Sequence, residues 1–171
     1  MDLYFSTLHI STVYLETRFM NYAQAVEGYH RRRLKRTRYP KDVFERHKAT
    51  ILDDLHGEPR QVAKSGLKWA NEISLERRIR DVLAELDEPA LRILIAGRIT
   101  ADHFAKRVAS IRNDFAHAFD SPKPDSSELV TLTFQLKALV EALLLHELGF
   151  EPRQIGNMLE RAKRYHMIRG Y

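Results

Sequence analysis

Residues 111–117, Ile-Arg-Asn-Asp-Phe-Ala-His, gather one arginine, two short polar side chains and one histidine just ahead of the proline-punctuated stretch Ser-Pro-Lys-Pro-Asp at 121–125. The chemistry such residues suit is phosphodiester cleavage. His117 could take a proton from a ribose 2′-hydroxyl or give one to a leaving oxygen. Arg112 could hold the non-bridging phosphate oxygens and stabilise the charge that develops on them. Asn113 could orient the imidazole or the phosphate, with Asp114 as a supporting carboxylate. The same residues have an ordinary reading: cations near a helix C-terminus bond its last carbonyls and favour its dipole. Spacing alone leaves both open. On an ideal helix, with about 100° per residue, Arg112 and His117 point about 140° apart. Asn113 and His117, at i,i+4, share a face. Arg112 and His117 therefore converge only if the helix end frays or tightens, or across a two-fold axis where the helix meets its own copy.

The elements that must position these residues read as helices. The chain has 171 residues, enough for one domain with a substantial core. Its seven glycines and six prolines leave long uninterrupted segments, and alternating strand patterns are nearly absent. From about Ser6 to Leu34, apolar residues return at helical steps through Leu8, Val13, Leu15, Phe19, Tyr22, Val26 and Tyr29. Pro40 admits a second helix with Val43, Phe44, His47, Ile51 and Leu55 on one stripe, and Gly57-Glu58-Pro59 is expected to stop it. A third is predicted from about Gln61 to Leu86. A short one enters at Pro89 and closes at Gly97. Thr100 is a good N-cap for the helix carrying Arg112. Ser126 or Ser127 is expected to cap the apolar helix that follows, and Gly149 to end it. Residues 151–171 form a basic closing helix and tail. The fold class is all-α, a helical bundle with additional short helices, in a single domain over 1–171.

In this context the motif resembles a known family. "RNDFAH" in an all-helical chain looks like the Arg-x4-6-His motif of the HEPN superfamily. "FMNYAQAVEGYHRR" is similar to the first-helix segment of the ApeA-like HEPN branch. "FAKRVASIRNDFAHAFD" resembles that branch's motif helix, and "LTFQLKALVEALLLHELGF" the apolar helix after it. The resemblance runs from about residue 10 to 150. It implies metal-independent RNA cleavage at a dimer interface, leaving a 2′,3′-cyclic phosphate, in anti-phage defence or toxin systems. Arg112 and His117 match the motif directly, and Asn113 matches the polar residue that follows the arginine. Gln24, Glu27 and His30 match the first-helix pattern. Members often carry a further N-terminal domain, so this chain is either a minimal member or a domain excised from a larger protein.

Charge adds to the picture. The net charge is +5, which favours an acidic partner, nucleic acid above all. Six of the nine residues from His30 to Arg38 are lysine or arginine. On a continuous helix Arg31 would stack on Lys35 and Arg32 on Arg36, with Arg33 beside them, a repulsion that an RNA backbone would relieve. A solvated helix end is the alternative. Glu27 sits among Ala23, Val26 and Tyr29 on a helix expected to be largely buried, so it needs a partner, and Arg112 is a plausible one. The tail offers Arg161, Lys163, Arg164 and Arg169 with Tyr165 and Tyr171 for phosphate contacts and stacking, or an exposed amphipathic end. Trp69 reads as core. Asp53, Asp54 and His56 close no metal-ligand set, Asp102 and His103 suit a first helical turn, and His146 suits a last one. No cofactor is implied.

Several functions are excluded at the level of pattern. The chain has no cysteine, hence no disulfide framework and no zinc–thiolate site, in keeping with a reducing cytoplasm. No uninterrupted apolar run approaches the roughly 18 residues of a membrane span, and the N-terminus does not read as a signal peptide. Gly-rich phosphate loops, nucleophile elbows and HExxH are absent. The reading is a homodimeric endoribonuclease with motif helices at the interface, where Phe115 and Phe119 make the contact or pack into their own core. It acts on RNA, alone or with a fused or separate sensor domain or an antitoxin, and no membrane partner is expected. The alternatives are a non-catalytic RNA-binding or dimerisation module of the same fold, and a helical DNA-binding regulator.

Overall fold

The computed structural model describes residues 14–95, 99–117, 124–162 and 165, with backbone alone for His117. Among these residues there are eight helices and no strand. They are α1 (Leu15–Arg33), α2 (Lys41–Asp53), α3 (Gly57–Leu67), α4 (Leu75–Leu83), α5 (Glu88–Ile95), α6 (Ala101–His117), α7 (Ser126–Glu147) and α8 (Pro152–Arg161). They fall into two compact units, residues 35–74 and the remainder. The expected positions Leu8, Val13, Gly97, Phe119, Lys163, Arg164, Arg169 and Tyr171 lie outside the described residues.

The larger unit is a bundle in which α1 packs along α7, α4 against α6 and α1, and α8 against α5 and α7. Its core follows the helical spacing: Phe19, Tyr22, Ala23 and Val26 from α1, Phe104, Ala105, Val108 and Ile111 from α6, and Leu132, Leu136, Leu139 and Leu143 from α7 are buried together. By length and composition α7 is apolar enough to cross a membrane, more than the uninterrupted runs suggested. Here it is the central helix, apolar on most sides because neighbours cover most sides. Asp125, not Ser126 or Ser127, caps it. Its carboxylate accepts from the backbone N–H groups of Ser127 at 3.0 Å and Glu128 at 3.1 Å. Gly149, at φ +86°, ends the segment in the left-handed region as expected. Thr100 caps α6, its Oγ1 accepting from His103 N at 3.1 Å.

Buried polar groups tie α1 to α4. His30 is fully buried, Arg78 and Asp81 nearly so. Arg78 Nη1 donates to His30 Nδ1 and His30 Nε2 donates to Asp81, each at 3.1 Å. The ring fits as the Nε2–H tautomer, because Nδ1 faces a donor. Tyr165 is anchored as well. Tyr165 is buried and its hydroxyl bonds Glu141. Tyr165 is therefore core, not a stacking residue of an exposed tail.

The smaller unit corrects the third predicted helix. Instead of running from Gln61 to Leu86, the chain forms α3, turns through 68–74, and begins α4. Asn71 supplies the reason. Its side chain accepts from Tyr39 N at 2.8 Å and donates to Tyr39 O at 3.1 Å, while its own carbonyl accepts from Arg38 N at 2.9 Å. Those bonds pull the backbone away from helical pairing. Gly57, at φ +59°, begins α3 and is not merely a stop. Pro40 does open α2, but Leu52 is its buried residue, Ile51 is exposed, and Leu55 lies past its end. Trp69 is 63% exposed, not core, with Lys68 Nζ 5.1 Å from its ring centre.

Candidate functional site

α6 carries Arg112 and Asn113 near its C-terminal end. The buried row Phe104, Ala105, Val108 and Ile111 turns one face of α6 inward, and Arg112 follows at the edge of that face, half-buried, beside α1. Phe115 packs edge-on against Phe19 of α1, ring centres 5.9 Å apart. That contact is with its own core, the competing reading of this residue, and it fixes how α6 lies on α1.

Glu27 meets Arg112 as expected: Oε2 lies 3.7 Å from Arg112 Nη2. The other carboxylate oxygen takes Arg31, with Nη2 at 3.1 Å. One carboxylate from α1 thus stands between two arginines, one from its own helix and one from α6. Arg112 Nη1 also approaches Asn113 Oδ1 at 3.5 Å. Among the described contacts the carboxylate of Glu27 joins the two arginines. The arginine side chains are 45% and 38% exposed and that of Glu27 is 20% exposed. A guanidinium has five N–H donors, and the two long contacts of Arg112 leave donors for an incoming anion. Such a cluster can bind a phosphate and hold its arginine in place by the carboxylate behind it.

The other site residues distribute as follows. Asp114 is half-buried on α6, and after Glu128, whose hydrogen bonds dominate, it adds to what holds the positive charge of Arg107. The backbone of α6 stays helical through His117, so the frayed geometry that would aim Arg112 and His117 together is not seen. The His117 side chain lies outside the described residues. His30, matched to the first-helix pattern, is enclosed and cannot touch a substrate. Gln24 lines a groove of about 390 Å³ between α1 and α7, with Gly28, Arg32 and Leu143, rather than the Arg112 cluster.

The basic run does not form one helical face. α1 ends at Arg33, Leu34 caps it, and Lys35 takes φ 51°, so Lys35 and Arg36 do not stack on Arg31 and Arg32. Arg31 joins the Arg112 cluster, Arg32 is exposed at the groove, and Arg33 pairs with Glu147 at 2.8 Å. Tyr29 donates to the same Glu147 at 3.1 Å, and burial together with that carboxylate pushes the phenol up to about 12.

Sequence reasoning missed two features. Arg78 and Asp81 fall on the apolar stripe of α4 beside Ile79 and Val82, and a charge on such a stripe is itself a sign of a buried partner. Arg107 joins α6 to α7 through a forked pair with Glu128, at 2.7 and 2.6 Å, which holds the Glu128 carboxyl below its usual range. Among the described residues no group of three or more His, Cys, Asp or Glu could hold a metal ion.

The Apea-like HEPN family matches residues 20–154. Neither a curated protein nor a solved structure matches the chain. The match spans α1 through the start of α8 and includes both halves of the Glu27–Arg112 cluster. With its all-helical bundle and the motif arginine set against the first helix, the chain belongs to the Apea-like HEPN family.

Proposed function

We propose that the protein is a metal-independent endoribonuclease of HEPN type, in an anti-phage defence or toxin setting, that works as a homodimer. The observation that supports this reading best is the Arg31–Glu27–Arg112 cluster, a partly exposed site whose motif arginine is tethered from behind. In this mechanism Arg112 holds the scissile phosphate and stabilises its developing charge. His117 transfers a proton at the 2′-hydroxyl or the leaving oxygen, and Asn113 orients the phosphate or imidazole. Because the α6 backbone is helical through position 117, positions 112 and 117 of one chain lie about 140° apart around its axis. A second copy across a two-fold axis brings the His117 of one chain toward the Arg112 of the other. Arg31 and Arg32, with Arg33, Lys35 and Arg36, guide the RNA backbone.

The test is cleavage of RNA and of its 2′-deoxy counterpart, with and without chelator. RNA alone should be cut, chelator should not matter, and His117→Ala and Arg112→Ala should each lower the rate by ~10²–10⁴-fold while the bundle stays folded. A mixture of the two variants should regain some activity if the site is shared between copies. If His117→Ala cleaves RNA as fast as the parent, the nuclease reading is wrong.

A further inference from the structure

α1 meets α6 at the Arg112 cluster and meets α7 at the groove of about 390 Å³, a volume within the ~300–1,000 Å³ range of small-molecule sites. The two helices give this groove its shape. Gln24, Gly28 and Arg32 stand at i,i+4,i+8 along α1. From Gln24 to Arg32 the trough runs about 12 Å, at about 1.5 Å per helical residue. Ala25, Gly28 and Leu144 are half-buried and open into it, and the buried Val140 and Leu143 complete the lining. Gly28 is the informative residue. A glycine inside a helix costs stability relative to alanine, and no close contact demands one here. A Cβ built at Gly28 meets nothing within 4 Å among the described residues. The missing side chain keeps the trough open at its midpoint. Charge is confined to one end. There Arg33 and Glu147 pair at 2.8 Å, and Tyr29 donates to the same carboxylate at 3.1 Å. Arg32 has no acidic partner among the described residues. The neutral Gln24 stands at the other end.

We infer that this groove binds a free medium-chain alkyl carboxylate, its chain over Gly28 and its head at Arg32. One negative charge at the end of an unbranched apolar body matches both features of the trough. The floor side chains of Ala25, Gly28, Val140, Leu143 and Leu144 offer no donor or acceptor, so the body of the ligand must need none. Burying the chain supplies most of the affinity, because apolar surface leaves water on both partners. The carboxylate sets direction: a guanidinium grips it with two parallel N–H groups, while Arg33 is already taken by Glu147. Extended decanoate is about as long as the trough. The inference does not rest on RNA cleavage. Arg32 also stands among the cations proposed to guide RNA, so the test uses no RNA.

Calorimetric titration of the whole protein with decanoate, octanoate, acetate and decylamine, each below its micelle-forming concentration, tests it. Decanoate should bind once per chain. Octanoate should bind roughly tenfold more weakly, since it buries two fewer methylene groups. Acetate should give no detectable heat, and decylamine should bind several-fold more weakly than decanoate. Gly28→Leu places a side chain in the open trough and should abolish binding. It should melt no lower than the parent, because leucine is the better helix former and meets open space. Arg32→Glu, a change on an exposed side chain, should reverse the preference between decanoate and decylamine, and it keeps the test decisive whatever Gly28→Leu does to the fold. Equal binding of acetate and decanoate would mean an anion site only. Equal binding of decylamine and decanoate, or unchanged decanoate binding by Gly28→Leu, would place the chain elsewhere on the surface. Either result overturns the proposal. So does failure of decanoate to bind at millimolar concentration, which would leave the groove to a helix of another protein.

Discussion

Replacing Glu27 with glutamine keeps the size of the side chain and removes the charge shared by Arg31 and Arg112. The contacts at 3.1 Å and 3.7 Å are both partly exposed, so each is worth about 0.2–1 kcal/mol. The fold should lose less than about 2 kcal/mol, which is a fall of several degrees for a protein of this size. On the proposed RNA cleavage the effect is larger and has two signs. Without its tether Arg112 wanders, and misplacing a positioned group by about 1 Å costs ~10²-fold in rate. Meanwhile a negative charge is removed beside two arginines, so RNA should bind at least as tightly at low salt. Single-turnover cleavage and equilibrium binding, measured on the same oligonucleotide, separate the two. Turnover falling about a hundredfold while affinity holds or rises is the expected result. Unchanged turnover, or weaker binding in step with slower cleavage, would refute the positioning role of Glu27.

Other perturbations follow from the packing. Gly156 of α8 lies against Pro89, where an added Cβ would come within 2.7 Å of a ring carbon that cannot swing away. Gly156→Ala should gain roughly 0.5–1 kcal/mol from helix preference but lose about 1–3 kcal/mol to overpacking, so its urea midpoint should fall; a rise would mean the α5–α8 seam is slack. His30→Ala breaks a fully enclosed network with Arg78 and Asp81 and should cost about 3 kcal/mol or more; a loss under about 1 kcal/mol would show the network adds little. Glu128 titrates below the ordinary 4.5 when folded because Arg107 grips it. Its contribution is therefore complete above about pH 4.5 and disappears as pH falls through the lower folded value. The melting difference between parent and Glu128→Gln should be clear at pH 7 and shrink by pH 3, and a difference that grows on acidification would reverse the assignment.

Much of this arrangement is legible in the chain, and each exception has a physical cause. Repeated apolar spacing marks α1, α6 and α7 because their burial is continuous over several turns. The need of Glu27 for a cation is legible too, since a carboxylate beside Ala23 and Val26 must be matched. Its second partner follows from the i,i+4 rule, yet the eye is drawn to the basic run as a block. What the block hides is that α1 stops at Arg33. The missed break at 68–74 has a different origin: Asn71 bonds a residue 32 positions earlier, and no local pattern carries that. Two serines after Asp125 mask it as a cap, although its carboxylate satisfies two amides at once.

The clamp of His30 on Arg78 and Asp81 has a consequence for residues 35–74. It fastens the last turn of α1 to α4, so the chain leaves the bundle and re-enters it from two points already held together. The ends of the excursion are joined by the scaffold, whatever it contains. Lengthening or exchanging such a cassette then costs little, since each doubling of a closed loop adds only about 0.6 kcal/mol. The bundle and its arginine cluster act as a chassis, and the 35–74 segment is a graft point at which new recognition can be tried without redesigning the core.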